Sequence, residues 1–258
     1  MSLNREEWVS KLQQAKRSRT PLKAPTLNGE SISLDDAYGV QADLLRVALS
    51  SGEKLSGYKM GLTSLAKQRE MNVFEPIRGF LLSSMRWDVK KPMPLGKMIH
   101  PRAEPEIAIV MKNQLRGADV TLEDVEMAID KVVIAIEVLD SRYEKYQFGL
   151  ADVIMDNTSA AHYVLSEKNL ISSEGPMPLW GILFYKNSEL IATGSPAASL
   201  GSPLLAVQSL VHLLAKQGNG IDAGMTIMTG GITASVAVQP GDLLEVRCPH
   251  DLMTLQFE

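Results

Sequence analysis

The stretch HPRAEPEIAIV, residues 100–110, decides how this chain is read. Ala103 and the run Ile107–Val110 have the apolar density of a buried strand, yet Glu104 and Glu106 stand at its entrance. In a strand, residues two apart point to the same face, roughly 6.6 Å apart along the chain. Carboxylates side by side on one buried face repel, so something positive belongs between them. A second segment, KVVIAIEVLD (131–140), is almost continuously apolar and carries one acid inside it, Glu137. An ionised carboxylate there loses hydration worth several kcal/mol unless a partner compensates. If the two strands are neighbours, three carboxylates converge. Two answers stay open at this level. One is a hard, oxygen-seeking cation such as Mg²⁺. The other is a salt-bridged cluster with Lys59, Arg102 or Arg142 as counter-charge.

Composition narrows what surrounds these strands. In 258 residues, 45% are apolar, enough for a substantial core and against global disorder. A net charge of −4 carries no electrostatic footprint for nucleic acid. No stretch approaches the roughly 18 apolar residues needed to cross a bilayer, so no membrane partner is expected. The first twenty residues are charged throughout, unlike a secretory signal. One cysteine, Cys248, has no internal disulfide partner, which fits a reducing cytoplasm. With one Cys and four scattered His, a zinc site of the usual kind is not expected, and any metal would be held by oxygen.

The N-terminal part reads as helical. Asn4–Lys16 is amphipathic, Pro21 and Pro25 interrupt it, and Ser33 with Asp36 resembles a capping box opening a helix that runs to Gly52. YKMGLTS (58–64) is a short strand entering a glycine turn, followed by a short helix over Leu65–Met71. Thr121–Asp130 is a capped helix, and Leu179–Tyr185 with Leu190–Ala192 flank a hairpin turn. Pro203–Lys216 is a helix with proline at its start, and the end of the chain alternates strands with turns at Gly230-Gly231 and Pro240-Gly241. The class is α+β, with a helical region over 1–70 and a strand-rich body over 71–258 forming one compact unit.

Further candidates gather near these strands. Lys59 sits in GYKMGLTS, either partly buried with its proton affinity tuned or at the surface with its stem over apolar atoms. Thr63 and Ser64 are placed to hydrogen-bond a substrate carboxylate or to cap the following helix. In DSRYEKYQF, Arg142 is able to grip an anionic group with Asp140 orienting it, or to form a structural pair. Asp156, Asn157 and Ser159 form a polar turn or line a site, and TGGIT (229–233) has glycines whose N–H groups can approach an anion. The four histidines show no ligand spacing.

The blocks GYKMGLTS, IHPRAEPEIAIV, IEVLDSRY, DNTSA and TGGITASVAVQPGD stand in the order and spacing of the fumarylacetoacetate hydrolase superfamily. The chain resembles its branch of 2-hydroxypentadienoate hydratases and 4-oxalocrotonate decarboxylases, over roughly residues 30–258. The resemblance implies a mixed β-roll with the helical region alongside. It implies Glu104, Glu106 and Glu137 as ligands of Mg²⁺ (or Mn²⁺), Lys59 as the active-site lysine, and Ser159, Gly230 and Gly231 near the substrate. Ile77, in EPIRGFL, falls where the branch's hydratases carry an Asp, which favours decarboxylation of 4-oxalocrotonate over hydration. GSPAASLGSP (194–203) and Arg78 depart from the family pattern. A hydratase and a non-catalytic binding protein remain the alternatives. The implied partners are a small 2-oxo dicarboxylic acid, a homo-oligomer and a hydratase partner.

Overall fold

The computed structural model describes residues 3–70, 73 and 75–258, the side chains of residues 66, 67 and 70 excepted. In chain order the elements are α1 (Arg5–Ser18), α2 (Leu34–Ser50), β1 (Leu55–Gly61), α3 (Leu65–Glu70), β2 (Ile77–Leu82), β3 (Arg86–Trp87), β4 (Arg102–Met111), β5 (Leu115–Arg116) and α4 (Leu122–Met127). They continue with β6 (Ile129–Leu139), α5 (Leu150–Met155), β7 (Ala160–Leu165), β8 (Ile182–Lys186), β9 (Glu189–Gly194) and α6 (Pro203–Ala215). The last strands are β10 (Gly220–Ile221), β11 (Thr226–Met228), β12 (Val236–Ala237), β13 (Leu243–Cys248) and β14 (Asp251–Gln256).

Local chemistry sets the helix ends. Asn4 caps α1 by accepting from the Glu7 amide, and Ser33 accepts from the Asp36 amide while its hydroxyl donates to the Asp36 carboxylate. α2 stops at Ser50, and Gly52 turns left-handed at φ 94°. α4 is shorter than expected, because the chain enters β6 already at Ile129. The helix after Thr63 runs to Glu70, and its expected last residue, Met71, lies outside the described residues.

The main sheet has eight strands in the order β2-β1-β11-β4-β6-β7-β3, with β12 added to the start of β4. It is mixed: β1 runs parallel to β11 and β3 to β7, and the other pairs are antiparallel. The sheet curls on itself. Ser56 Oγ on β1 lies 3.2 Å from Tyr163 Oη on β7, although three strands separate them in the sheet order. A second sheet, β14-β13-β8-β9, packs Phe184, Leu244, Val246, Met253 and Leu255 into the same core as Ile107, Ile109, Ile134 and Ile136. A second apolar cluster joins α1, α2 and α5 to the edge of the roll through Trp8, Leu12, Val40, Ile77, Tyr143 and Ile154. The segment Pro196–Ala215 corrects the expectation that no stretch is apolar and long enough to cross a bilayer, since by length and composition it is. Here it holds a 3₁₀ turn and α6, whose Ala206, Val207, Leu210, Val211 and Leu214 are buried in the core.

Candidate metal centre

The register of β4 against β6 answers the question posed by HPRAEPEIAIV. Glu104 pairs with Glu137, and Glu106 with Ala135. Paired residues share a sheet face and residues two apart return to it, so all three carboxylates stand on one face, with a small methyl opposite Glu106. One oxygen from each lies within 4.8 Å of the others. Glu106 and Glu137 are 0% and 1% exposed, and Glu104 is half-buried.

β1 brings the counter-charge. Lys59 pairs with Met228 of β11, and Met228 with Ala108 of β4, which puts Lys59 on the face of Glu104 and Glu106. Its Nζ lies 2.7 Å from Glu137 Oε2 and donates to the Thr158 carbonyl at 3.2 Å. The lysine is therefore buried, and burial works against its charge. The carboxylates of Glu137, Glu104 and Glu106 outweigh that and hold its pKa above the usual value. Glu106 is pushed well above the ordinary range by burial, then by Glu137 and Glu104, with Lys59 and the Gly230 amide opposing. Glu137 is raised by burial, with Lys59 opposing.

Among the described residues Lys59 is the cation paired with Glu137, while like charge from Glu137 and Glu104 bears on Glu106. Arg102 and Arg142, the other two proposed counter-charges, are bound elsewhere. Arg102 donates to Ser235 and lies over the Tyr146 ring. Arg142 is bound to Asp156 through Nε, to the Asp140 and Ala160 carbonyls through Nη1, and to the Asp156 carbonyl through Nη2. Asp140 does not orient that guanidinium with its carboxylate, which accepts instead from the Ile99 and His100 amides. Glu106 Oε1 and Glu137 Oε1 are buried with no hydrogen-bond donor among the described residues. A salt-bridged cluster would satisfy those oxygens with N–H groups. Two orphaned carboxylate oxygens beside a third carboxylate fit a hard divalent cation of the Mg²⁺ or Mn²⁺ kind.

The glycine turn serves the ligands. The Gly230 amide donates to Glu106 Oε2 at 2.8 Å, so the anion it meets is this carboxylate. Gly230 has φ 110°, and a Cβ there would stand 2.1 Å from Thr63 Oγ1. A Cβ on Gly231 would stand 2.7 Å from the Glu104 carboxyl carbon. Thr63 is buried against that turn, and the Ser64 carbonyl accepts from Gln68 at the start of α3. Ile77 pairs with Gly61, two residues along from Lys59 on the same face. It packs in the second cluster and lines a cavity of about 320 Å³ with Tyr38, Leu150, Ile154 and Leu213. The adjacent Arg78 is buried, donates to the Gln41 and Gln217 side chains, and lies 4.9 Å from the Tyr38 ring centre.

Ser159 and Arg142 meet elsewhere, around Asp156. This carboxylate is fully buried and accepts from the Ser141 and Ser159 hydroxyls and from the Arg142 backbone and side chain. Burial raises its pKa to about 6 in spite of Arg142. Asn157, Thr158 and Ser159 are all left-handed, with φ of 47°, 52° and 59°. Such a conformation costs a non-glycine residue roughly 1–2 kcal/mol. The Thr158 carbonyl that receives Lys59 had no signature in the sequence, since every residue carries one.

Comparison with known proteins meets this geometry. The chain is 39% identical over 249 residues to a 4-oxalocrotonate decarboxylase of Pseudomonas putida, covering 95% of this chain and 94% of the relative. It belongs to the family of 4-oxalocrotonate decarboxylases and 2-keto-4-pentenoate hydratases. The hydratase side of that family is represented by a 2-keto-4-pentenoate hydratase of Paraburkholderia xenovorans LB400, 33% identical over 241 residues, 93% of this chain and 90% of the relative. The structure of the 4-oxalocrotonate decarboxylase from P. putida G7, complexed with magnesium and adipate, superposes with a TM-score of 0.93 at 37% identity, covering 100% of this chain and 99% of that one. A protein from Yersinia pestis CO92 assigned to the fumarylacetoacetate hydrolase family shares the fold alone, with a TM-score of 0.61 at 14% identity over 78% of this chain and 92% of that one. No family model matches the chain. The decarboxylase–hydratase family thus has the expected α+β roll of the fumarylacetoacetate hydrolase type.

Proposed function

We propose that this chain is a divalent-cation-dependent carboxy-lyase that converts 4-oxalocrotonate (2-oxohex-3-enedioate) to 2-hydroxypenta-2,4-dienoate and CO₂. The observation that carries this is the pair of buried oxygens without a hydrogen-bond partner among the described residues, Glu106 Oε1 and Glu137 Oε1, in a cluster of three carboxylates. The decarboxylase from P. putida G7 supports both halves, since it holds magnesium together with adipate, a saturated six-carbon dicarboxylate.

In this reading Glu104, Glu106 and Glu137 hold Mg²⁺ (or Mn²⁺), and the Gly230 amide fixes Glu106 by one oxygen so that the other is left for the ion. When bound, the ion supplies Lewis acidity toward the C1 carboxylate and C2 oxygen of a 2-oxo acid, where negative charge accumulates. The C5–C6 bond breaks as CO₂ leaves. Its electron pair becomes the C4–C5 double bond, the C3–C4 pair moves to C2–C3, and the C2 oxygen takes a proton. Lys59, held between Glu137 and the Thr158 carbonyl, is the cation and proton donor assigned to that oxygen. Thr63 and Ser64 are assigned to the substrate, whereas the Ser159 hydroxyl is engaged by Asp156, and Ile77 offers an apolar wall that keeps water from the carbanion-like chain.

Product analysis of 2-oxohex-3-enedioate with Mg²⁺, with and without chelator, tests this. CO₂ and the dienoate are expected only with metal. A second reading as a hydratase has the P. xenovorans relative in its favour and requires water addition to 2-hydroxypentadienoate without CO₂. Failure of both reactions would leave a non-catalytic binding protein. The same proposal includes a homo-oligomer and a hydratase partner, measurable by light scattering and co-purification. The exposed leucines 183, 190, 243 and 252 on the second sheet are the kind of apolar surface that assemblies cover.

A further inference from the structure

We propose that Asp156 and Arg142 are positioning residues for Lys59, acting through the left-handed run Asn157–Ser159 that presents the Thr158 carbonyl to Lys59 Nζ. This rests on the reading of Lys59 as the group that serves the substrate oxygen.

Three consecutive left-handed residues without a glycine among them persist only where the surroundings over-determine them. Here both ends and the run itself are held. Before the run, Asp156 is bound to Arg142 by Nε and the backbone amide, and the Asp156 carbonyl takes Nη2. After it, Ser159 returns its hydroxyl to Asp156 at 3.3 Å, its carbonyl accepts from the Asp140 amide at 2.8 Å, and the Ala160 carbonyl takes Arg142 Nη1. Within the run, the Asn157 side chain pairs with both backbone groups of Phe80 on β2, at 2.8 and 3.0 Å. Gly79 makes room for this, because a Cβ there would stand 2.3 Å from Thr158 Oγ1. Gly79 is also the strand partner of Lys59. The run is thus clamped onto the one place in β2 opposite the lysine, with its middle carbonyl turned to Nζ at 3.2 Å. An ammonium held only by Glu137 would follow that carboxylate. A second, rigid acceptor fixes it independently of the metal ligands.

The arrangement predicts that loosening the clamp lowers kcat through Lys59 and leaves metal binding alone. Asp156→Asn is measured with 2-oxohex-3-enedioate and saturating Mg²⁺, alone and combined with Lys59→Met, together with calorimetric Mg²⁺ affinity. The expected result is a loss in kcat of at least tenfold in the wild-type background, with KM and Mg²⁺ affinity within about threefold. In the Lys59→Met background the same substitution should cost less than twofold, since groups that act as one unit are not additive. Equal losses in both backgrounds, or a folded Asp156→Asn with full kcat, would overturn the proposal. Should Asp156→Asn not fold, Arg142→Lys is put through the same cycle, where a loss confined to the wild-type background supports the proposal and equal losses overturn it. Full turnover by Lys59→Met would instead remove the underlying assignment of Lys59, a result distinct from additivity.

Discussion

Glu104 and Glu137 face each other directly across β4 and β6, an antiparallel pairing of like charges on one face of the sheet. Such pairs destabilise a sheet on their own. With Glu106 two residues along and Lys59 paired to Glu137, the site gathers like charges that a divalent ion would relieve.

Metal should therefore stabilise the fold. At a hundred times its dissociation constant, an ion that binds only the folded chain contributes about 2.7 kcal/mol. For a domain of this size that is an increase in Tm of roughly 5–10 °C. Scanning calorimetry with Mg²⁺ and with chelator checks it, and identical melts would contradict a metal site here.

Glu106→Gln should lower decarboxylation more than a hundredfold, about 2.7 kcal/mol in the barrier or more. The same substitution should not weaken the metal-free fold, because the neutral amide stands in for the protonated carboxyl that burial, Glu137 and Glu104 favour there. A combined loss of activity and of metal-free Tm would mean that the carboxylate is structural.

The pH dependence of the metal-free protein follows from the direction of the Glu106 shift. Its carboxyl is raised well above 4.5 when folded, first by burial and then by Glu137 and Glu104, so the folded chain keeps a proton that the unfolded chain releases. This contribution is full below about pH 4.5 and is lost as pH rises through the folded value. Asp156, raised to about 6 by burial, acts in the same sense between about pH 4 and 6. Stability of Glu106→Gln relative to wild type, from urea titrations without metal, should increase from pH 4.5 to 7.5. A difference that is flat or falling would refute the shift.

Adding one methyl group to either glycine of the TGGIT turn should have different consequences. Gly231→Ala presses on the Glu104 carboxylate and is expected to weaken Mg²⁺ binding tenfold or more, with a small change in metal-free Tm. Gly230→Ala strains a backbone at φ 110° and strikes Thr63, so its metal-free Tm should fall as well. Calorimetric titration and thermal melts of both variants separate the two effects.

Ile77→Asp should not create a hydratase. Ile77 is 5% exposed among apolar neighbours, and a carboxylate there would be buried without a described partner. We expect a lower Tm and no water addition to 2-hydroxypentadienoate, measured by loss of the dienoate absorbance. Hydration at a rate matching decarboxylation in the wild type would show that one acid at this position is sufficient.

Much of the centre was legible in the sequence for a local reason. Burial of Glu137 could be read from its apolar flanks, and the common face of Glu104 and Glu106 from the period of a strand. The ends of α1 and α2 were marked by Asn4 and Ser33, whose side chains cap within a few residues. The interactions that escaped are those in which partners are far apart in the chain or are backbone atoms. Arg142 looked like an anion grip beside Asp140, but Asp156 and three carbonyls occupy its donors. Lys59 could be read as buried or exposed, because nothing local says that β1 lies beside β11 and β11 beside β4.

By itself, the sequence determined the α+β class, the strands that carry the acids, and the three acids themselves, because hydrophobic period and capping chemistry act between near neighbours. Only the tertiary structure decided that Lys59 joins those acids while Arg102 and Arg142 are bound elsewhere. Choosing among counter-charges depends on strand order and register, which are set by packing across the whole curled sheet and by no single segment.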